Sequence, residues 1–179
     1  MSFVVNARNI FTMKIKFLSL LLLGSVLVAS AQKTVVDIAV GSKDHSTLVA
    51  AVKAADLVTA LQGAGPFTVF APVNEAFTSL PKGTVESLLK PENKSMLAKI
   101  LTYHVVAGNL DAAAVVNAIQ AGNGKAAVKT LSGGILTASL NDGKVILTDE
   151  NGGSASVVVA DLKAGNGVVH VINSVVLPK

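Results

Sequence analysis

Three histidines, His45, His104 and His170, are the side chains of this chain best suited to hold a metal or to serve as a base. Zinc asks for three or four converging nitrogen, sulfur or carboxylate ligands, usually with one short spacing between two of them. No two of these histidines lie within fifty residues of each other, none has a carboxylate three or four residues away, and the chain has no cysteine. No metal centre and no cofactor are expected. His45, beside Asp44, reads as a surface turn residue. His104 and His170 lie in apolar, strand-like runs and read as buried neutral imidazoles, each making one or two hydrogen bonds.

Nucleophilic catalysis needs a Ser or Thr, a base and an orienting acid within reach of one another. Ser174 follows His170 by four residues, which on an extended strand separates them by about 13 Å at roughly 3.3 Å per residue. There is no Gly-x-Ser-x-Gly elbow, and Gly165-Asn-Gly167 lacks the third glycine and the following helix of a dinucleotide loop. Glu75 reads as a first-turn carboxylate favoured by the helix dipole. Asp149-Glu150 reads as a solvated turn pair. Asn93-Lys-Ser95 matches a glycosylation acceptor but falls at a helix start and is given no role. The chain is not expected to be an enzyme.

The elements that position these residues divide by type along the chain. Lys33–Val40 is a lead-in with a short helix. Ser46 can cap a helix reaching Gln62, but its apolar residues change phase across Ala54–Asp56, so two short helices or one kinked helix are predicted. Phe67–Ala71 is a strand with Phe67, Val69 and Ala71 on one face, ended by Pro72. Asn74 is a good cap residue for a turn that drops Phe77 into the core. Helices follow at Thr84–Leu89 and Glu92–Leu101, the second with an apolar stripe of Met96, Leu97, Ile100 and Leu101. Thr102–Val106 is strand-like, and Asp111 can cap a helix over Ala112–Ala121.

From there the chain turns to short β-rich runs: Ala127–Leu131, Ile135–Leu140, Lys144–Thr148, Ser156–Val159 and Val168–Leu177. Asn141-Asp-Gly143 is a strong hairpin signal between two of them. Val169, Val171, Val175 and Leu177 would share one face of the last strand. His170, Ile172, Ser174 and Val176 would share the other, so the strand is covered on both sides. Helices followed by a strand meander read as an α+β fold.

Met13-Lys-Ile-Lys16 begins a leader, Phe17–Val28 is its apolar run, and Ala29-Ser30-Ala31 is a small-x-small cleavage site. Residues 1–31 are therefore expected to be an upstream extension (1–12) plus a cleaved signal peptide. Residues 32–179 then form one domain, exported and without an integral membrane span, since the apolar run falls short of the roughly 20 residues a span needs. Three of the fifteen basic residues, Arg8, Lys14 and Lys16, lie in the leader and no acid does, leaving twelve basic against eleven acidic. The sequence pI of 9.4 therefore carries no argument for nucleic-acid binding. An exported chain without disulfides must be held by its core, and 51% apolar residues can supply one.

Two segments are more specific than the rest: FTVFAPVNEAF (Phe67–Phe77) and NGVVHVINSVVLP (Asn166–Pro178). With STLVAAVKAADLVTALQGAGPF before them, LPKGTVESLLKPENKSMLAKILTYHVVAG between them and Tyr103-His104 as a pair, the chain resembles the fasciclin domain family from about Thr34 to Pro178. The resemblance implies a wedge of two β-sheets with a cluster of N-terminal and central helices. It marks Phe67, Val69, Phe70, Ala71, Pro72, Asn74, Phe77, Tyr103, His104, Asn166, Gly167, His170, Ile172 and Pro178 as family positions. Their role is mainly structural, with adhesion at Tyr103-His104 as the functional alternative. Val73 and Asn173 stand where the family often has Thr and Asp, which weakens any idea of an ion site there.

The expected function is non-catalytic: adhesion, or extracellular matrix or biofilm association, of a bacterial secreted or periplasmic domain. The partner would be a cell-surface or matrix protein or a polysaccharide, although 4% aromatic residues and no Trp argue against stacking platforms for sugars. The alternative is a binding protein for a small-molecule, lipid or polymeric ligand.

Overall fold

The computed structural model describes residues 32–179; the extension and leader expected over residues 1–31 lie outside the described residues. Helix α1 (Val35–Val40) opens on a capping box in which Thr34 Oγ1 accepts from the Asp37 N–H and the Asp37 carboxylate accepts from the Thr34 N–H. A 3-10 turn over Lys43–His45 leads into α2 (Ser46–Ala54), and α3 (Val58–Gln62) follows. The phase change falls where expected, at Asp56, whose φ of 57° breaks the helix.

The helix start differs from expectation. Ser42, not Ser46, caps the 3-10 turn, and Ser46 is already helical. One N–H of α2 is met from a distance: Asn74 Oδ1 accepts from the Thr47 N–H at 3.0 Å while its Nδ2 donates to the Lys43 carbonyl. Asn74 thus caps α2 rather than α4 (Asn74–Thr78), which has no side-chain cap of its own. Within α4 it is Ala76 that is fully buried; Phe77 is half-buried against the helical core.

After α5 (Thr84–Leu88), α6 runs over Lys94–Tyr103 and ends on His104, so Thr102 and Tyr103 are helical and not strand. Thr102 Oγ1 donates to the Ala98 carbonyl one turn back, which satisfies a β-branched residue inside the helix. Of the predicted stripe, Leu97 and Leu101 are buried, but Met96 is 57% exposed.

The strands are β1 (Phe67–Pro72), β2 (Val105–Ala107), β3 (Lys125–Lys129), β4 (Ile135–Asn141), β5 (Lys144–Thr148), β6 (Ser154–Ala164) and β7 (Gly167–Ile172). They form one mixed sheet in the order β2-β1-β7-β6-β5-β4-β3. Only β1 and β7 run parallel. The long strand β6 pairs with β5 through its first residues and with β7 through the rest, with register shifts between Val157 and Leu162. Those bulges fold the sheet into two halves that share β6. The outer strands then meet: Val106 bridges Thr130, and the Leu131 N–H donates to the Val105 carbonyl, so the sheet is nearly barrel-like.

Helix α7 (Ala112–Ala121) covers one end of the sheet, capped by Asp111 as predicted and also by Asp161, whose carboxylate takes the Ala112 N–H. The β4–β5 turn at Asp142-Gly143 has positive φ at both residues (49° and 76°), the geometry that Asn-Asp-Gly announces. Two apolar cores lie on opposite faces of β1 and β7. Ala71, Val169, Leu48, Leu97 and Leu101 belong to the helical one, and Phe70, Ile172, Tyr103, Leu136 and Leu147 to the sheet one.

The last strand ends at Ile172, five residues short of prediction. Asn173 makes the last contact with β6, its N–H donating to the Ser156 carbonyl and its Oδ1 taking the Ser156 N–H, and the chain that follows is held by side chains.

Candidate functional site

The two family segments lie side by side. Phe67 pairs with Gly167, Phe70 with His170, and Pro72 with Ile172 in the parallel β1–β7 ladder. Phe70, Ala71, Pro72, His170 and Ile172 are buried; Phe67, Val69, Asn166, Gly167 and Pro178 are half-buried. Gly167 is dictated by contact, since a Cβ there would lie 2.0 Å from the Phe67 carbonyl oxygen. Asn166 uses its whole amide. Its Oδ1 accepts from the Val35 N–H at 2.9 Å, and its Nδ2 donates to the carbonyls of Leu61 and Gly63. One side chain thereby ties the start of α1 and the end of α3 to the mouth of β7. The His170 ring stacks on Phe70 with centroids 5.7 Å apart, donates from Nε2 to the Leu110 carbonyl and accepts the Asp161 N–H on Nδ1.

Tyr103 and His104 meet the C-terminal tail. The Tyr103 hydroxyl donates to the Ile135 carbonyl at 2.8 Å and accepts the Glu150 N–H, while its ring fills the space beside Gly134. Burial raises its pKa. His104 Nδ1 donates to the Ile100 carbonyl at 2.8 Å and Nε2 accepts the Val176 N–H at 3.2 Å, so one neutral tautomer satisfies both ring nitrogens. Burial pushes its pKa down to about 4, against the opposing pull of the Ile100 carbonyl and the Asp149 charge.

Asp149 and Glu150 are not a solvated turn pair. Asp149 is 8% exposed and accepts the N–H groups of Asn151, Gly153 and Leu177. Glu150 takes the Ile135 N–H, and Asn151 Nδ2 donates to the carbonyls of Leu177 and Pro178. These groups clamp residues 176–178 onto the sheet.

His45 is also not a surface residue: it is 5% exposed. Its Nδ1 meets Ser42 Oγ at 2.9 Å, but its Nε2 is buried without a hydrogen-bond partner among the described residues. Burial lowers its pKa, with Asp44 and the nearby Ala71 main chain pulling the other way. Among the described residues no three His, Asp or Glu side chains gather as a metal site, and no helix is long and apolar enough to cross a membrane.

Two hollows among the described residues border α1. A cleft of about 210 Å³ runs beneath α1, walled by Val36, Leu48, Val52, Leu61, Val69 and Leu101. A wider groove of about 370 Å³ lies between α1 and β6, where Val158 and Val159 are 55% and 46% exposed. Successive strand residues ordinarily alternate between faces; the bulges in β6 leave both of these valines outside.

The fasciclin domain family model matches residues 43–178. The chain belongs to this family. It is 56% identical over 145 residues to protein sll1483 of Synechocystis sp., covering 81% of this chain and 73% of that protein. It is 41% identical over 145 residues to the transforming growth factor-beta-induced protein ig-h3 of Sus scrofa, but spans only 19% of that longer relative. The domain pair of the insect cell adhesion molecule fasciclin I shares the fold, with a TM-score of 0.52 and 23% identity over 71% of this chain and 40% of that one. Fasciclin domains are non-enzymatic.

Within this fasciclin domain, sequence reasoning missed the clamp at Asp149, the interior place of His45 and both hollows. Asp149 had a readable signal: an Asp two residues before Asn-Gly-Gly is well placed to accept the turn's own N–H groups. His45 had none, since its cover comes from segments distant in sequence.

Proposed function

We propose that this fasciclin domain is exported, with its leader cut near Ala31-Gln32, and acts without catalysis by holding a protein at the cell surface or in the surrounding matrix. The observation that carries this is the exposed Val158-Val159 face. The family segments are spent on packing and internal hydrogen bonds, while this pair offers apolar surface beside a groove. Valines without aromatic neighbours suit a protein surface better than a sugar ring. Fasciclin I, which shares the fold, is a cell adhesion molecule, and domains of this family mediate protein contacts. One copy presents one such face, so bridging two surfaces asks for self-association or a partner that supplies avidity.

The test is attachment of cells or matrix protein to surfaces coated with the protein. Val158→Glu with Val159→Glu is expected to lower attachment at least threefold while melting within about 2 °C of the parent, because exposed substitutions change stability by only about 0.5 kcal/mol. Undiminished attachment would remove this face from the reading. A second reading, a secreted or periplasmic domain that binds a small or lipid ligand, is supported by the cleft beneath α1.

A further inference from the structure

We propose that the cleft beneath α1 is a binding site for a medium-chain fatty acid, its alkyl chain in the apolar interior and its carboxylate at Lys53. This rests on the second reading above and names its ligand class. An apolar cavity of about 150 Å³ stays dry and admits benzene, so about 210 Å³ has room for an apolar group larger than one ring.

Four of the lining residues carry polar groups: Asp37, Lys53, Gln62 and His104. Two are committed elsewhere. Asp37 turns its carboxylate onto the Thr34 N–H and hydroxyl, and both nitrogens of His104 are bonded to the main chain. Lys53, in the last turn of α2, and Gln62, at the end of α3, are exposed and make no side-chain hydrogen bond among the described residues. Of the two charged residues at the cleft, the anion Asp37 is engaged by Thr34 and the cation Lys53 is uncommitted, while the interior is apolar.

That pairing selects among ligands. A sugar or nucleotide would bury hydroxyls or phosphates against valine and leucine with nothing to bond them. A peptide would leave its N–H and C=O groups unpaired. A fatty acid anion buries only methylenes and keeps its charge at the mouth, where the Lys53 ammonium and the Gln62 amide can meet it.

The experiment is thermal melting and calorimetric titration of the full exported protein with octanoate, decanoate, decanol, acetate and a panel of polar metabolites. Decanoate at a hundredfold excess over its Kd is expected to raise the melting temperature by roughly 5–10 °C. Acetate should do nothing. Lys53→Met should weaken decanoate about threefold, the worth of an exposed ion pair, and leave decanol unchanged. Val49→Trp, at the half-buried rim, should abolish binding of both; a melting temperature like the parent's shows that it has folded.

No shift with the acids or decanol, but a shift with a polar metabolite, overturns the fatty-acid assignment and leaves the ligand reading standing. No shift with any compound overturns both. Equal loss of decanoate and decanol on Lys53→Met overturns the role of that residue as carboxylate holder.

Discussion

The two cores of this fasciclin domain are packed to different standards. On the sheet side Leu136, Ala138, Leu147, Ile172 and Val176 have no exposed surface. The buried polar groups bordering that core are bonded: Tyr103 twice, both nitrogens of His104, and Asp149 to three N–H groups. On the helical side Val36, Val52 and Leu61 keep 7–9% exposure, a cleft of about 210 Å³ opens among them, and His45 leaves a ring nitrogen unbonded. A filled and fully bonded core fixes one structure. A loose one leaves room for a guest. The more rigid part of the domain is therefore on the sheet side, and the room for a guest is on the other.

The largest effect is expected where the sheet side is most bonded. Asp149→Ala removes the acceptor for three main-chain N–H groups and frees the tail that covers Val176. Losing bonds to a charged group and leaving N–H groups unpaired should cost about 3 kcal/mol, or roughly 6–12 °C in melting temperature. Urea or thermal denaturation measures it. A cost below about 1 kcal/mol would mean that the tail is held by apolar contact alone, and the contrast between the cores would shrink accordingly.

Acid should expose the same contrast through His104. Its folded pKa is about 4, against 6.5 for a free imidazole. Between those values the unfolded chain binds more protons than the folded one, so stability is complete above pH 6.5 and falls as pH drops towards 4. At roughly 1.4 kcal/mol per pH unit the loss across that window is about 3 kcal/mol. His104→Gln keeps a donor for Ile100 and an acceptor for Val176 and should remove most of the slope. His45, whose pKa is also lowered by burial, contributes with the same sign. Urea midpoints at pH 7 and pH 4.5 for parent and variant measure both, and a variant with the parent's full slope would place the acid sensitivity elsewhere.

Much of the sheet was legible because its signals are local. Asn141-Asp-Gly143 carries its own turn, Asp111 caps the helix it precedes, and the alternation in Phe67–Ala71 assigned its faces correctly. What escaped was set by contacts far apart in sequence. Asn74 caps a helix that begins 28 residues earlier. Tyr103 stays helical although its residue type favours strands, because its hydroxyl is anchored at Ile135. In the sequence Val158 and Val159 fall within an ordinary strand pattern, since a bulge leaves no mark that alternation can detect. The hollows are invisible for the same reason: a missing atom in a core belongs to no one residue.

The finest test of the comparison is a pair of one-step enlargements. Val52→Ile adds a methylene to the wall of the cleft, where there is space for it. It should be neutral or stabilise by about 0.5 kcal/mol, as modest cavity filling does, raising the melting temperature by 1–2 °C. Ala138→Val adds two methyl groups where nothing is exposed and should cost about 1–3 kcal/mol through overpacking. Opposite signs would establish that the two cores differ in the room they hold. Equal losses would mean that the helical side closes around its cleft as firmly as the sheet side closes around Leu136, and the cleft would then have to open before anything could enter it.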